Sequence, residues 1–425
     1  MKHGFQLTAS RISKTLRRIL NPGDIFKTMK GKNILITGIN GFVGSILAQK
    51  LSHENKVYGL SRAADNKSDT PSNINLIQGD VTKLSDVKQA IGQSAPDVIF
   101  HLAAIADMPT AFKNPLQTLD TNFMGTANLL ESVRLNKVDP KIIFAGSSEE
   151  YGLIVSSKKH YSGLVKKYGA LVPEPVNIPE LPVKETNPLR PRMSYGVAKL
   201  ASEFLMRDYY YTYGIKTVTS RSFNHEGAGR PSQFVTSAVT RQVSDLASGK
   251  ADKIRIGNVN TFRDWSHVND TIGAYIHLAK HGINGGAYNV GSMRTNSVLS
   301  YILLSLEQAG YGVHSLKTIK GNKKIGNPAE MNKSKFFGVS FDKTKADSLM
   351  LSGKIYFENS DKGIILETGK GKVTIEFDSE MFRPLDVPIV MSDTTKLQDT
   401  GFKIKYKLAD IIRDQLNYFS KQSDI

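Results

Sequence analysis

The chain reads Thr37-Gly38-Ile39-Asn40-Gly41-Phe42-Val43-Gly44 between an apolar run, Asn33–Thr37, and an amphipathic stretch near residues 43–53. Glycines with this G-x-x-G-x-x-G spacing let the backbone turn tightly and approach a pyrophosphate, whose negative charge is stabilised at the N-terminus of the following helix. A glycine pattern alone is weak evidence, but this one has the strand before it and the helix after it that the motif requires. We therefore predict a dinucleotide-binding loop, with contacts from Gly38 and from Asn40–Gly44.

Short β-branched runs and amphipathic helical stretches alternate along the first half of the chain. Helices are expected near residues 43–53, 84–93, 115–136 and 192–213. Strands are expected at Asn33–Thr37, Lys56–Leu60, Asn75–Gln78, Asp97–Leu102, Lys141–Ala145 and Lys216–Arg221. Alternation of this kind requires crossover connections and a parallel sheet. The predicted fold is α/β, with a doubly wound Rossmann-type sheet in a domain of residues 32–225 that can take later strands from beyond residue 225.

The alternation loosens after about residue 225, which predicts a smaller C-terminal lobe, residues 226–425, that mainly binds the substrate. Near its end, three runs alternate apolar and polar positions around glycine-containing turns: Gly353–Glu358, Gly363–Glu367 and Lys372–Phe377. A small antiparallel β-meander inserted at about 350–378 is the simplest interpretation. A second long segment, residues 153–181, carries several lysines. A lid, an oligomer contact and a plain surface loop are open alternatives for both insertions.

Composition excludes several classes of protein. The 425 residues are 40% hydrophobic and 22% charged, as in an ordinary folded protein, so intrinsic disorder does not describe the whole chain. The absence of cysteine excludes disulfides, thiolate zinc sites and cysteine nucleophiles, and it suits a reducing compartment such as the cytoplasm. No stretch reaches the roughly 18 apolar residues of a membrane-spanning helix. No metal site is predicted.

Part of the net charge of +17 belongs to an N-terminal extension, residues 1–31. Residues 1–32 hold eight Lys and Arg against one Asp. The rest of the chain lacks aromatic interleaving, zinc-finger and RNA-recognition signatures, so nucleic acid is not expected as a partner. Residues 11–20 are predicted to form a basic amphipathic helix. Peripheral contact with an anionic membrane, packing on the protein's own body and a transit peptide are the alternatives for that helix.

Further positions at the ends of predicted strands suit a nicotinamide dinucleotide. Arg62 follows the second strand, where NAD-selective enzymes often have an acidic residue, and a guanidinium there can pair with the extra phosphate of NADP. NADP is therefore the expected cofactor, with NAD as the alternative. Asp80 and Val81 follow the third strand, where a carboxylate can accept a hydrogen bond from the adenine amino group. Leu102-Ala103-Ala104 follows the fourth, where small side chains let the cofactor lie against the sheet.

Tyr195-Gly196-Val197-Ala198-Lys199 places a phenol and an ammonium four residues apart, and therefore on one face of a helix. A phenol with an ordinary pKa of about 10 is a poor base at neutral pH. A nearby ammonium and the positive charge of an oxidised nicotinamide ring stabilise the phenolate, so the tyrosine can remove a proton from a sugar hydroxyl as hydride leaves. Because the pair follows Ser147 and Ser148 at a suitable distance, we predict that Tyr195 and Lys199 are catalytic and contact the cofactor.

From about Lys32 to its end, the chain resembles the extended short-chain dehydrogenase/reductase family. Within that family it most resembles the GDP-mannose 4,6-dehydratases and their reductase relatives. Four stretches carry the resemblance: Gly146-Ser147-Ser148-Glu149-Glu150-Tyr151-Gly152, Phe223-Asn224-His225-Glu226-Gly227-Ala228-Gly229-Arg230, Arg263-Asp264-Trp265-Ser266-His267-Val268 and Phe382-Arg383-Pro384-Leu385-Asp386-Val387. Together they are specific for the family and less specific for one reaction.

The resemblance implies roles for the first stretch. Ser147 would hydrogen-bond the reacting hydroxyl of the substrate, and Glu149 would be the acid/base. Ser148, expected among the substrate-binding residues, stands where the dTDP-glucose dehydratases have Asp, so a single carboxylate would both remove a proton and help water leave. A structural Glu149 is the alternative, because GDP-4-keto-6-deoxymannose reductases resemble the same Ser-Ser-Glu-Glu-Tyr-Gly run.

The resemblance also implies binding roles for the other stretches. His225 and Arg230 would contact NADP, although a glycine replaces one arginine of the dehydratase motif; a neutral core histidine is the alternative for His225. Asn224 would bind the substrate. Arg263 and Arg383 would clamp the nucleotide diphosphate, because planar guanidinium groups suit phosphate oxygens.

The implied activity is the 4,6-dehydration of a GDP-sugar, with GDP-mannose as the expected substrate. A GDP-4-keto-6-deoxymannose reductase, a nucleotide-sugar 4-epimerase and a non-catalytic cofactor-binding scaffold are the alternatives. The family also implies a homodimer or homotetramer, assembled through the helices near 115–136 and 192–213.

Overall fold

The computed structural model describes residues 29–63, 73–381 and 387–423. The predicted amphipathic helix at residues 11–20 and the predicted phosphate clamp Arg383 lie outside these ranges. The described strands are β1 (Asn33–Thr37), β2 (Lys56–Ser61), β3 (Ile74–Gln78), β4 (Val98–His101), β5 (Lys141–Ser147), β6 (Thr217–Ser222), β7 (Asn224–Glu226), β8 (Lys253–Ile256), β9 (Phe262–Arg263), β10 (Trp265–His267), β11 (Gly286–Val290), β12 (Asn296–Ser297), β13 (Val313–Thr318), β14 (Lys324–Gly326), β15 (Met331–Phe336), β16 (Val339–Thr344), β17 (Gly363–Thr368) and β18 (Gly371–Phe377).

Helices connect most of the strands of the first half of the chain. The described helices are α1 (Phe42–Leu51), α2 (Leu84–Ser94), α3 (Met108–Lys113), α4 (Pro115–Leu119), α5 (Gly125–Asn136), α6 (Lys158–Tyr168), α7 (Met193–Tyr213), α8 (Val235–Ala247), α9 (Val268–His281), α10 (Val298–Gln308), α11 (Lys345–Leu351), α12 (Thr395–Gln398) and α13 (Leu408–Ser423). A π-helical turn, Asp120–Met124, joins α4 to α5, so one bent helical segment accounts for the predicted helix near 115–136. Across the described ranges, no helix has the length and apolar composition needed to span a membrane.

Seven parallel strands form the central sheet, in the order β11-β6-β5-β4-β1-β2-β3. All six strands expected from the first half of the chain lie in it, which confirms the predicted Rossmann-type α/β fold. The seventh strand, β11, comes from beyond residue 225 and adds to the edge beside β6. The chain therefore returns to the first sheet after it has begun the second lobe.

Helices cover both faces of this sheet. Successive strand residues point to opposite faces, so Ile34 and Ile36 of β1 pack with α1 and α9, whereas Leu35 packs with α2, α5 and α7. The sheet therefore lies between two buried apolar layers, as expected for a doubly wound fold. Its strand order brings the carboxyl ends of β4, β1, β2 and β3 side by side, where the predicted cofactor loop begins.

The C-terminal lobe has its own core, in which a five-stranded sheet of order β14-β13-β17-β18-β8 packs against α8, α10 and α13. β17 and β18 confirm two strands of the expected insertion, but the strand predicted at Gly353–Glu358 is wrong. The backbone N–H and C=O of Phe357 bond to the side chain of Asn260, at 2.9 and 2.7 Å, and the Phe357 ring is buried. A side chain thus replaces the neighbouring strand, and the expected meander is a hairpin within a larger mixed sheet.

The segment 153–181 is partly helical, and none of the residues of α6 within it is buried. The segment is attached to the body of the protein through Arg190. The Arg190 guanidinium pairs with the buried carboxylate of Glu180 and donates hydrogen bonds to the carbonyl oxygens of Leu153 and Pro173, at 3.1 and 2.7 Å. These contacts fix the two ends of the segment and leave α6 exposed between them.

Candidate active site

The glycine loop follows β1 and packs closely against β4 and its own helix. Gly38 has a φ of +72°, and a Cβ atom on it would lie 2.7 Å from the backbone nitrogen of Ala103. A Cβ on Gly44 would lie 2.3 Å from the carbonyl oxygen of Gly38. The Gly41 N–H donates to that same carbonyl at 3.0 Å and closes the turn. The loop therefore requires glycine at these positions and forms a concave backbone surface at the start of α1, which suits a pyrophosphate.

The other predicted cofactor residues lie along the same edge of the sheet. The side chain of Asn40 in the loop donates to the Ser61 hydroxyl at the end of β2, at 2.8 Å, and Arg62 follows as an exposed side chain. After β3, an oxygen of the Asp80 carboxylate accepts from the backbone N–H of Thr82, at 3.0 Å. The buried Val81 comes next.

Leu102-Ala103-Ala104 completes this edge after β4. The Leu102 N–H donates to the Thr37 carbonyl at 3.2 Å, and the Ala103 N–H donates to the Thr37 hydroxyl at 3.2 Å. These bonds hold the end of β4 against the end of β1. The glycine loop, the residues after β2 and β3 and the small residues after β4 therefore lie along one edge of the sheet.

Ser147, Tyr195 and Lys199 meet at the adjacent edge. Ser147 ends β5, and its hydroxyl lies close enough to the Tyr195 phenol on α7 to affect the pKa of that phenol. The Lys199 ammonium lies 5.9 Å from the centre of the Tyr195 ring and donates to the Ala145 carbonyl at 2.7 Å. The predicted serine, tyrosine and lysine are therefore brought together by β5 and one face of α7.

Burial controls the protonation of this set in the chain without cofactor. Burial raises the pKa of Tyr195 to about 12; the hydrogen bond from Ser147 opposes this shift, and the negative charge of Glu149 adds to it. Burial lowers the pKa of Lys199 to about 8. The tyrosine is a protonated phenol at neutral pH, and the neighbouring lysine is close to its titration point.

Glu149 and Glu150 follow Ser147 on a short 3₁₀ turn, Ser148–Glu150, and have different surroundings. Glu149 is half-buried, and its backbone N–H donates to the Ser147 hydroxyl at 3.1 Å. A Cβ on Gly196 would lie 2.7 Å from the Glu149 carbonyl oxygen, so the glycine beside Tyr195 lets α7 approach this turn. Glu149 is thereby held next to the tyrosine. Ser148 is half-buried on the same turn.

Glu150 was not singled out from the sequence, although it is fully buried and contacts Ser147. One oxygen of its carboxyl group accepts a hydrogen bond from the Ser147 backbone N–H at 2.7 Å. Together with the bond from Glu149 to the Ser147 hydroxyl, this is a capping box. The Ser-x-x-Glu spacing of the capping box is a local sequence pattern from which a residue in the position of Glu150 can be predicted.

The second motif lies on β7, which pairs with β10 and places His225 opposite Ser266. The His225 ring lies 3.0 Å from the Phe223 carbonyl oxygen. Burial, together with the charge of Arg230, lowers the pKa of His225 to about 4, so the ring is neutral at physiological pH. Asn224, predicted to bind substrate, is half-buried on the same strand.

Arg230 joins the second motif to the glycine loop. Its guanidinium lies 3.5 Å from the centre of the Phe234 ring and 5.3 Å from the centre of the Phe42 ring. Its Nε atom is 3.5 Å from a carboxylate oxygen of the buried Glu226. The structure therefore brings Arg230 beside the glycine loop, although the sequence separates it widely from Phe42. Its contact with the cofactor stays a prediction.

Arg263 lies on β9, and its guanidinium donates to the carbonyl oxygens of Phe262 and Val387, at 2.9 and 2.8 Å. Val387 is the last residue of the stretch that contains Arg383. The role of Arg263 as a phosphate clamp stays a prediction, while the structure gives it a second role as the attachment point of the segment after Arg383.

The model of the NAD dependent epimerase/dehydratase family matches residues 34–291, more than half of the chain. The chain belongs to this family. A second family model, described as GDP-mannose 4,6 dehydratase, matches residues 176–415 and so includes α7 and most of the C-terminal lobe. Both matched ranges include Tyr195 and Lys199, so these two residues of the site lie in the part of the chain that both family models match.

Curated relatives from this family include a dehydratase and a reductase. The chain is 26% identical over 383 residues to GDP-mannose 4,6-dehydratase of Yersinia enterocolitica, a match that covers 87% of this chain and 88% of the relative. It is 28% identical over 274 residues to GDP-6-deoxy-D-mannose reductase of Pseudomonas aeruginosa, with 64% and 79% covered. These relatives place the chain among the sugar-nucleotide dehydratases and reductases.

A solved structure supports the fold assignment. The structure of RMD from Pseudomonas aeruginosa complexed with NADPH matches with a TM-score of 0.62 at 22% identity, covering 92% of this chain and 99% of that chain. The match extends over both lobes. It shows that the mostly parallel sheet and its appended lobe are the shared fold of these proteins.

Proposed function

We propose that this enzyme is a sugar-nucleotide 4,6-dehydratase that converts GDP-mannose to GDP-4-keto-6-deoxymannose. The observation that carries the proposal is the position of Glu149, which follows Ser147 on one turn and lies within electrostatic reach of Tyr195. A carboxylate beside Ser147, Tyr195 and Lys199 supplies the extra acid/base that dehydration needs and simple oxidation does not. The match to the GDP-mannose 4,6 dehydratase model and the Yersinia relative support this reaction and substrate.

In the proposed reaction, Ser147 orients the hydroxyl on carbon 4 of the sugar and Tyr195 removes its proton. The glycine loop around Gly38 and Gly44 would hold NADP⁺, which would supply a reversible hydride acceptor for carbon 4 and carbon 6. The 4-ketone acidifies the hydrogen on carbon 5, so Glu149 removes that proton and gives it to the hydroxyl on carbon 6, which leaves as water. When hydride is added at carbon 6, carbon 5 regains a proton, supplied by the one that Tyr195 took from the hydroxyl on carbon 4. The net change is the loss of one water molecule, and the cofactor is not consumed.

NADP is the proposed cofactor. The concave backbone around Gly38 and Gly44 suits the pyrophosphate of either dinucleotide. The exposed guanidinium of Arg62 at the end of β2, and that of Arg230 beside Phe42, support a partner with an additional phosphate. The structure of RMD from Pseudomonas aeruginosa is a complex with NADPH, which supports the same choice. NAD is the alternative, because the family description names it.

A reductase of the 4-keto-6-deoxy sugar is the second candidate. The 28% identity to GDP-6-deoxy-D-mannose reductase of Pseudomonas aeruginosa favours it. Such a reductase needs only Tyr195 and Lys199 for proton and hydride transfer, and it consumes NADPH. Glu149 would then be a structural residue, which is the point on which the two candidates differ.

Incubation of the purified enzyme with GDP-mannose and no added cofactor tests the choice. We expect the 4-keto-6-deoxy product from the wild type and a loss of about 10²–10⁴-fold in Glu149→Gln, because an amide cannot act as the acid/base. Glu131→Gln, on α5 away from the site, is the matched control and should keep full activity. Stoichiometric oxidation of NADPH by a 4-keto sugar, with no dehydration of any nucleotide hexose, would reject the dehydratase in favour of the reductase.

A further inference from the structure

A buried acidic pair lies directly behind the catalytic serine, outside the proposed chemistry. The carboxyl groups of Glu150 and Glu203 are buried together with the guanidinium of Arg221. Arg221 lies on β6 opposite Gly146 of β5, so this cluster packs beneath the turn that carries Ser147. The cluster therefore connects the sheet, the catalytic turn and α7.

The N–H groups of Arg221 that lie nearest to Glu150 donate their hydrogen bonds to Glu203. Nε of Arg221 donates to Oε2 of Glu203 at 2.7 Å, and Nη2 donates to Oε1 at 2.6 Å. Nη1 donates to the Tyr151 hydroxyl and to the Glu185 carbonyl, at 3.0 Å each. Oε2 of Glu150 is 3.4 Å from Nε, but the single hydrogen there already points to Glu203. Within the described residues, this oxygen accepts no hydrogen bond.

A buried carboxylate oxygen without a donor is costly as an anion, whereas a protonated oxygen can donate. Burial raises the pKa of Glu150 well above its ordinary value, and the like charge of Glu203 adds to the shift against the attraction of Arg221. Burial opposes ionisation of Glu203 too, but the hydrogen bonds and charge of Arg221, with Arg207 nearby, outweigh it and lower the pKa of Glu203. The cluster thus favours one acid and one carboxylate.

The other oxygen of Glu150 holds the backbone of the active site. Oε1 accepts from the Ser147 N–H at 2.7 Å, on the residue whose hydroxyl meets the Tyr195 phenol. A Cβ on Gly146 would lie 2.6 Å from Oε1, so the glycine at that position makes room for the carboxyl group. One carboxyl group therefore links the acidic cluster to the orientation of Ser147.

We propose that Glu150 is a positioning residue, a neutral carboxylic acid that holds Ser147 in place for Tyr195 and donates a hydrogen bond to Glu203. The protonation state of Glu150 matters because a negative charge on it would shift the pKa values of both Tyr195 and Lys199. An anion there would raise the pKa of Tyr195 and oppose removal of a proton from the substrate. The inference rests on the proposed function only for its kinetic readout.

Infrared difference spectroscopy on the full chain tests the proton without any substrate. At neutral pH, the wild-type-minus-Glu150→Gln spectrum should contain the carbonyl band of a protonated carboxylic acid. The corresponding spectrum for Glu131→Gln should lack it, because the hydrogen bond from Arg134 lowers the pKa of Glu131 and keeps it ionised. A carboxylate band in place of the acid band for Glu150 would overturn the proposal, whichever reaction the enzyme catalyses.

Kinetics test the positioning. Glu150→Gln keeps an oxygen for the Ser147 N–H and an amide donor for Glu203, so kcat should stay within about twofold and its pH profile should not move. Glu150→Met removes the acceptor, so kcat should fall by about 10–100-fold with KM nearly unchanged. A displaced pH profile in Glu150→Gln, or wild-type kcat in Glu150→Met, would overturn the proposal. The glutamine variant keeps the test decisive if the methionine variant does not fold.

Discussion

The ammonium of Lys199 lies 5.9 Å from the centre of the Tyr195 ring, on the same face of α7. Its hydrogen bond to the Ala145 carbonyl, at 2.7 Å, fixes it against the end of β5. Burial lowers the pKa of the lysine to about 8 and raises that of the tyrosine to about 12. A cation held in this way favours the phenolate of Tyr195 during the reaction, while the fold bears the cost of burying it.

Replacement of Lys199 by Met should abolish activity and stabilise the fold. Because burial lowers the pKa of Lys199 from 10.5 to about 8, the folded protein loses this proton before the unfolded chain does. Wild-type stability therefore rises between these pH values, whereas Lys199→Met has no such titration. The excess stability of the variant, about 3 kcal/mol at most, should be largest below pH 8 and should vanish above pH 10.5.

Denaturant unfolding across this pH range measures the difference. Lys88→Met, at an exposed position on α2, is the matched control and should change stability little at any pH. A difference between Lys199→Met and the wild type that does not vary with pH would contradict the assignment of a buried, titrating lysine.

Gly44→Ala should weaken cofactor binding and destabilise the fold by about 1–3 kcal/mol or more, because the new Cβ would lie 2.3 Å from the Gly38 carbonyl oxygen. Gly163→Ala on α6 is the control, since nothing lies within 4 Å of a Cβ there and alanine favours the helix. Thermal unfolding with and without NADP measures both effects. Equal behaviour of the two variants would contradict the close packing of the glycine loop.

Arg62→Ala should lower the affinity for NADP and leave the affinity for NAD unchanged. A charge-assisted hydrogen bond to the additional phosphate contributes about 1.5–3 kcal/mol, so the dissociation constant for NADP should rise about 10-fold or more. Calorimetric titration with each dinucleotide measures this ratio, with Lys88→Ala as a charge-matched control. An equal loss for both cofactors would show that Arg62 does not select the phosphate.

An exposed apolar surface on α7 and α4 suits the predicted homodimer or homotetramer. Val197, Phe204 and Tyr211 recur every seven residues on α7, where Tyr211 is 72% exposed, and Leu116 on the neighbouring α4 is 80% exposed. Phe204→Glu should turn the oligomer into a monomer, because a charge on an apolar contact surface loses its solvation on assembly. Light scattering at micromolar concentration measures the mass, with Tyr356→Glu in the other lobe as control. A monomeric wild type would exclude this assembly.

Local patterns predicted the central sheet, the glycine loop and the face shared by Tyr195 and Lys199. These features depend on strand and helix periodicity and on the conformational freedom of glycine, which are properties of neighbouring residues. The same reasoning failed at residues 353–358, where an alternating pattern is present but Asn260 supplies the hydrogen bonds that a neighbouring strand would make. An alternating pattern of side chains predicts which face of a segment is buried. It does not predict which group forms the hydrogen bonds of that segment's backbone.

Tertiary structure alone decided how two adjacent glutamates differ. The 3₁₀ turn after β5 leaves Glu149 half-buried beside Tyr195 and buries Glu150 against Arg221 of β6. Tertiary packing also brings the Arg230 guanidinium close to the Phe42 ring of the glycine loop, although most of the first lobe's sequence separates the two residues. The sequence by itself determines the strands and helices on which these residues lie. Their environments depend on sheet register and helix packing between distant segments, which no local pattern encodes.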